Sequence, residues 1–278
     1  MDMFCKSVRE TNTSSPFDCL LFDLDDTLYS SNTGIGAALK TDIDDFLVEK
    51  FGYSSDKASS VRIELFKTYG STLAGLRALG HDIDADDYHS YVHGKLPYEL
   101  IKPDIQLRDL IRSIPQRKLI FTNSDRNHAV KVLEKLGLEG CFEQIICFES
   151  INPDLTKSND PRAYPVCLKP SIDAMKIAID IANVDPRRTL FLDDNVHNIA
   201  SGKSLGLHTV LVGKAMKTKE ADYAVENIVN LKRMVPQIWL KTTAAPSSVR
   251  DSGDKRMSRT RSRCDIEATI SNATAVGA

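Results

Sequence analysis

Asp23 and Asp25 stand two residues apart where an apolar run gives out, in Cys19-Leu20-Leu21-Phe22-Asp23-Leu24-Asp25-Asp26-Thr27-Leu28-Tyr29. On a strand, positions two apart share a face, so both carboxylates are expected to enter one cleft as the strand ends. Two carboxylates that close repel and tend to share a proton unless a cation lies between them. A hard dication with oxygen ligands, Mg2+ foremost, resolves the repulsion. The pair suits an aspartate nucleophile with a second aspartate beside it as acid and base.

Three more segments carry chemistry. Lys118-Leu119-Ile120-Phe121-Thr122-Asn123-Ser124 is an apolar run ending in a hydroxyl and an amide. Cys167-Leu168-Lys169-Pro170 offers a lysine before a proline, which favours an extended approach or a helix start. Thr189-Leu190-Phe191-Leu192-Asp193-Asp194-Asn195 is a third apolar run ending in carboxylates. The carboxyl ends of the strands of a parallel sheet lie along one edge, where ligands bind. Thr122, Lys169 and the Asp193-Asp194 pair are therefore expected to meet Asp23 and Asp25 there.

These four segments, in this order, resemble the motifs of the haloacid dehalogenase superfamily: D-x-D-x-T, a strand ending in Thr or Ser, a Lys, and a strand ending in two Asp. The resemblance covers about residues 17 to 240. Tyr69-Gly70-Ser71-Thr72-Leu73-Ala74-Gly75-Leu76, Leu96-Pro97-Tyr98, Lys102-Pro103-Asp104 and Asn127-His128-Ala129 are similar to strings of its pyrimidine 5′-nucleotidase branch. The resemblance implies a Rossmann-like parallel α/β core with an inserted helical cap, and Mg2+ as cofactor. It implies that Asp23 is the nucleophile and forms an aspartyl-phosphate, and that Asp25 is the acid and base. Dehalogenases and P-type ATPases lack an acid at that second position, so Asp25 points to a phosphatase. Thr122, the Asn123 amide and Lys169 are expected to hold the phosphate. Asp23, the backbone carbonyl of Asp25, and the Asp193-Asp194 pair are expected to hold the metal; spacing leaves the direct ligand of that pair open, and the resemblance favours Asp194. Asn198 departs from the superfamily, which often has another acid nearby, and is expected to tune the metal site. His128 and His197 lie near motif loops and are read as packed or solvated side chains.

The implied activity is hydrolysis of a small phosphorylated metabolite, foremost a pyrimidine nucleoside 5′-monophosphate such as UMP or CMP. A sugar, cofactor or lysophospholipid phosphate is the alternative within enzymes, and a regulatory protein on the same fold the alternative outside them. Specificity is expected from the cap, with Tyr69 or Tyr98 stacking on a base.

Positioning those groups requires strands, expected at 18–23, 117–122, 144–148, 189–192 and 208–212, with helical patterns between them. Ala129, Val130, Leu133 and Leu136 repeat at helical spacing before Gly137, as do Ile172, Met175, Ala178, Ile179 and Ala182 after Pro170. Alternating strands and helices imply a parallel sheet. Nearly a hundred residues separate the first two strands, far more than a crossover needs. Two stripes there, Ile35-Leu39-Ile43-Phe46-Leu47 and Val61-Leu65-Phe66-Tyr69, predict helices, with further helices over 72–79 and 84–92. A bundle inserted after the first strand would lie over its carboxyl end as a lid. The expected layout is a flexible N-terminus over 1–15, a core of 16–31 and 101–241, a cap of 32–100 and a tail of 242–278.

Composition fits a cytoplasmic enzyme. The chain has 278 residues, 42% of them hydrophobic, enough for one large core and a smaller second one. A formal charge of −2 argues against a nucleic-acid surface, and no apolar stretch has the length of a membrane span. Met1-Asp2-Met3-Phe4-Cys5-Lys6 has no apolar signal core. Six cysteines show no metal spacing and are expected as buried free thiols. Residues 242–278 lack aromatics, are rich in Ser and Thr, and carry six basic against four acidic residues, a composition expected to be disordered. Lys255-Arg256-Met257-Ser258 within them resembles a basophilic kinase site.

Overall fold

Apolar runs buried on both faces become strands here because a parallel sheet is covered by helices on both sides. The computed structural model describes residues 14–155, 162–163 and 165–241; the expected tail and its Ser258 lie outside them. Its strands are β1 (Cys19–Phe22), β2 (Arg117–Phe121), β3 (Gln144–Ile146), β4 (Thr189–Asp193), β5 (His208–Val212) and β6 (Tyr223–Val225). They form one six-stranded sheet in the order β3-β2-β1-β4-β5-β6, parallel at every pairing. β6 was not expected from the sequence.

Side chains alternate along β1. Leu20 and Phe22 enter one core with Ile120, Leu192 and Val210. Cys19 and Leu21 enter the other with Leu119, Phe121 and Phe191. Cys19, Cys141, Cys147 and Cys167 are free thiols, and burial pushes the Cys19 thiol up to about 12.

Between β1 and β2 lie α1 (Ile35–Phe51), α2 (Ser55–Tyr69), α3 (Thr72–Ala78) and α4 (Ala85–Gly94), followed by α5 (Ile105–Ser113). Both expected stripes fall on helices, and the ends have local causes. Gly70, at φ 82°, stops α2 with its N–H on the Phe66 carbonyl, and the Ser71 side chain immediately caps α3 at Ala74 N. Asp84 caps α4 at Asp87 N. The four helices bury a third apolar cluster built on Phe46, Leu47, Leu65, Leu73, Leu76, Tyr88 and Val92, which also takes in Phe148 and Leu155 from beyond β3. Phe46 meets Tyr88 edge to face at 5.0 Å between ring centroids.

The remaining helices are α6 (Arg126–Leu136), α7 (Phe148–Ile151), α8 (Ile172–Ala182), α9 (Val196–Ser204) and α10 (Leu231–Met234). All described residues fall within one compact unit. Ser15, placed by composition in a flexible terminus, is instead 2% exposed and accepts a hydrogen bond from Gln116 Nε2 at 3.0 Å. Among the described residues, no helix is long and apolar enough to cross a membrane.

Candidate active site

The sheet register gathers the motif residues. Phe22 is aligned with Ile120 of β2 and with Leu192 of β4, so one residue further on Asp23, Phe121 and Asp193 form a row across three strands. The Asp23 N–H donates to Leu192 O at 2.9 Å and prolongs the ladder. The chain then turns: Leu28 N–H donates to Leu24 O at 2.9 Å, and Asp26 takes a left-handed backbone (φ 59°). The turn returns Thr27 onto Asp23, and its hydroxyl donates to Asp23 Oδ2 at 2.8 Å.

Lys169 lies at the centre of the row. Its Nζ donates to Asp23 Oδ1 at 2.7 Å, to Asp193 Oδ2 at 2.8 Å and to the Phe121 carbonyl at 2.8 Å. Burial works against this ammonium, and the Asp193 and Asp23 carboxylates overcome it, so the charge is held above the ordinary lysine range. One ammonium cannot balance two buried carboxylates. Burial accordingly pushes the Asp23 carboxyl up to about 8, with Lys169 opposing and Asp193 adding to the rise.

The Asn123 side chain, expected to hold phosphate, is engaged with the Lys169 backbone. Its Oδ1 accepts from Lys169 N at 2.9 Å and its Nδ2 donates to Lys169 O at 3.0 Å. That amide clamps the lysine backbone across 46 residues of chain. Thr122 sits at the end of β2, 2% exposed, its hydroxyl accepting from Ser124 N at 3.1 Å.

Asp25 is held by three side chains. Tyr29 donates to its Oδ1 at 2.6 Å, Ser124 to its Oδ2 at 2.9 Å, and His128 Nε2 to its Oδ1 at 2.7 Å. Burial alone would raise this carboxyl; the His128 charge and the three hydrogen bonds outweigh it and hold Asp25 below the usual carboxylate range. His128 is likewise held above its ordinary value, with burial opposing and Asp25 prevailing. His128 is thus no solvated bystander. The hint available in the chain was its place in Asn127-His128-Ala129, just after the second motif. His197 is exposed on α9.

Tyr98 needs correction as a stacking residue. It is 9% exposed, packed in the core, and its hydroxyl shares a 2.8 Å hydrogen bond with His128 Nδ1. A ring so enclosed has no open face for a base. Tyr69, at the end of α2, keeps 40% exposure.

A metal could sit among Asp23, Asp193 and Asp194, which offer carboxylate oxygens within 4.8 Å of one another. The donor set fits a hard dication: all are oxygens, and Lys169 leaves negative charge over. Asp193, fully buried, already accepts from Lys169, from Asn195 N at 2.8 Å and from Asn198 Nδ2 at 3.0 Å on each oxygen. Asp194 is only partly buried. Burial, with the nearby Asp193 and Asp26 carboxylates, pushes Asp194 up to about 6.

Comparison with known proteins agrees with this geometry. The profile of the haloacid dehalogenase-like hydrolases matches residues 17–206. The chain is 26% identical over 219 residues to Phosphate metabolism protein 8 of Saccharomyces cerevisiae, a match covering 75% of this chain and 64% of the yeast protein. The chain therefore spans less than two thirds of that relative's length. It is 24% identical over 227 residues to Pyrophosphatase PpaX of Bacillus pumilus, covering 79% of this chain and 94% of PpaX. Among solved structures, a HAD phosphatase from Thermococcus onnurineus superposes with a TM-score of 0.52 at 19% identity, over 78% of this chain and 97% of that one. CbbY from Rhodobacter sphaeroides, in complex with phosphate, gives 0.53 at 17% identity, over 77% and 96%. Similarity at that level is similarity of fold.

Proposed function

Within the haloacid dehalogenase-like hydrolases, the family to which this chain belongs, we propose that it is a Mg2+-dependent phosphomonoesterase of a small metabolite, with a pyrimidine nucleoside 5′-monophosphate as its substrate. The observation that carries the phosphatase reading is the pair at the end of β1: Asp23 on Lys169 at 2.7 Å, and Asp25 beside it on His128 at 2.7 Å. A nucleophile needs a neighbouring acid only if its leaving group must be protonated, as an ester oxygen must. The relatives named for phosphate metabolism and for pyrophosphate cleavage support the same class.

Asp23 attacks phosphorus in line; an Asp23–phosphorus bond forms while the ester P–O bond breaks, and the departing oxygen takes a proton from Asp25. Water then gives a proton to Asp25, attacks the same phosphorus, and releases phosphate with Asp23 restored. As it stands here, Asp25 is in the ionised form that the second step uses. Lys169 holds Asp23 in line and neutralises charge as it builds on the phosphoryl oxygens, a preorganised arrangement. Thr122, at the adjacent strand end, is the hydroxyl for a phosphate oxygen. Asp23, Asp194 and the backbone carbonyl of Asp25 would hold Mg2+, with Asp193 behind them because its oxygens are committed. Bound there, the ion supplies charge screening between Asp23 and an anionic phosphate and polarises the transferring group.

The nucleotide preference rests on the cap strings of the sequence, and Tyr69 is the ring left to read a base. Phosphate release from UMP, CMP, ribose 5-phosphate and pyrophosphate, with Mg2+ and with EDTA, tests the reading. UMP or CMP should exceed ribose 5-phosphate in kcat/KM by about ten- to a hundred-fold, the worth of stacking one base. EDTA should silence turnover and Asp23→Asn should abolish it. Equal efficiency on UMP and ribose 5-phosphate rejects the nucleotidase reading; turnover by Asp23→Asn rejects the covalent mechanism.

A further inference from the structure

Three buried histidine rings run from the inserted helices to Asp25. His89 and His93, one turn apart on α4, stack at 5.5 Å between centroids. His93 lies on the His128 ring at 4.5 Å. His128 is 2% exposed and both its nitrogens are engaged, Nδ1 with the Tyr98 hydroxyl and Nε2 with Asp25 Oδ1. An imidazole held at both nitrogens can neither flip nor tilt without breaking a buried hydrogen bond, so it acts as a rigid strut.

Asp125 ties that strut to the cap. Its Oδ1 accepts from the backbone N–H of His128 at 3.1 Å, capping α6 at the residue that carries the strut. Its Oδ2 accepts from His93 Nδ1. The carboxylate is 6% exposed and His93 is 8% exposed. One buried carboxylate thus holds the backbone under His128 with one oxygen and a cap side chain with the other. Among the described residues, this is a continuous path of contacts from α4 to the proposed acid and base.

We propose that His128 is the positioning residue that aims the Asp25 carboxyl at the departing oxygen, and that the His93–Asp125 pair sets its position from α4. This rests on the phosphatase reading above and adds to it a dependence of acid catalysis on α4. His93 and Asp125 touch no reacting atom; they act through His128. Tyr98 serves the same end from the other nitrogen, which accounts for its burial.

The test compares two esters that differ in leaving group: ribose 5-phosphate, whose alkoxide must be protonated, and 4-nitrophenyl phosphate, whose phenolate leaves without help. The measured quantity is kcat/KM, which reports the bond-breaking half of the reaction. His128→Leu should lower kcat/KM for ribose 5-phosphate on the order of a hundred-fold, the lower range for general acid catalysis, and for 4-nitrophenyl phosphate by less than about five-fold. His128→Gln places an amide where Nε2 stood and should recover most of the loss. His93→Leu should show the same ester-selective loss at about ten-fold, and His93→Asn, whose amide replaces Nδ1, should restore it. Tyr98→Phe, which removes only a hydroxyl, serves if His128→Leu does not fold, and its loss should be selective in the same sense. Equal losses on both esters, or failure of the amide variants to rescue, overturn the proposal. If ribose 5-phosphate is turned over too slowly, UMP, whose 5′ alkoxide leaves in the same way, takes its place. A wild type inactive on UMP, ribose 5-phosphate and 4-nitrophenyl phosphate alike overturns the phosphatase reading itself, and this proposal with it. A wild type active on both kinds of ester and silenced by Asp23→Asn leaves that reading standing whatever the histidine variants show.

Discussion

Lys169 is the residue on which the site's charge balance turns. Its ammonium lies between carboxylates that are 7% and 0% exposed, so removing it strands negative charge where water cannot reach. Breaking a buried pair by deleting one partner typically costs about 3–5 kcal/mol. Lys169→Met should therefore lower stability by about 3–5 kcal/mol in chemical denaturation, besides abolishing phosphate release. A variant as stable as the wild type would show that Asp23 and Asp193 are neutral or solvated in solution. Asn198 belongs to the same group. Its Nδ2 reaches both oxygens of Asp193, so where the superfamily often has an acid this chain has a donor that steadies a carboxylate.

Among the elements, α2, α3 and α4 decide how tightly the inserted helices pack. A Cβ on Gly75 would lie 2.7 Å from Leu65 Cδ2 and 2.9 Å from both Leu65 Cβ and Tyr69 Cδ2. A Leu Cβ cannot swing aside, so α2 and α3 would have to separate. Gly75→Ala should cost about 1–3 kcal/mol by overpacking, read as a lower midpoint of unfolding; an unchanged midpoint would mean the helices already part freely. In α4, burial pushes His89 down to about 4, with His93 adding to the shift. An unfolded histidine titrates near about 6.5, so between those values the unfolded chain binds the extra proton. The His89 contribution to stability should be fully present above about pH 6.5, fall as pH drops through that window, and level off below about pH 4. His89→Phe keeps an aromatic ring and removes the titration. Its stability should fall less steeply over that window, the gap reaching roughly 3 kcal/mol by pH 4. Parallel curves for the two proteins would exclude His89 as the source.

At the scale of the whole molecule, the sheet is closed by the segment after α10. Ile238 is fully buried, Gln116 Nε2 donates to its carbonyl at 2.6 Å, and the Trp239 indole donates to Ser113 O at 2.9 Å. Gln116 also reaches Ser15, so one side chain binds both ends of the described chain to the start of β2. Ile238→Ala should cost about 2–5 kcal/mol, measurable by thermal or urea unfolding. A near-neutral result would show that the C-terminal segment adds nothing to the fold.

The chain's local patterns were enough for five of the six strands, the first four helices between β1 and β2, and the four motifs on one edge. Asp23, Thr122 and Asp193 could be found because strand ends read as apolar runs giving way to polar residues, and a parallel register must align such ends. The inserted helices could be found because α1 and α2 keep a helical period and Gly70 and Ser71 punctuate it. Periods of two and 3.6 are properties of neighbouring residues, and so are caps. The partner of a buried polar group is not. His128 meets Asp25 across 103 residues, and no spacing rule records such a distance. Tyr98 was read as a stacking ring because an aromatic side chain suits a base. Packing decided otherwise: inside a protein most buried donors and acceptors find a partner, and which one each finds depends on how distant elements cross. The sequence alone therefore determined where the motif residues gather, and the tertiary structure decided which partners each of their side chains meets.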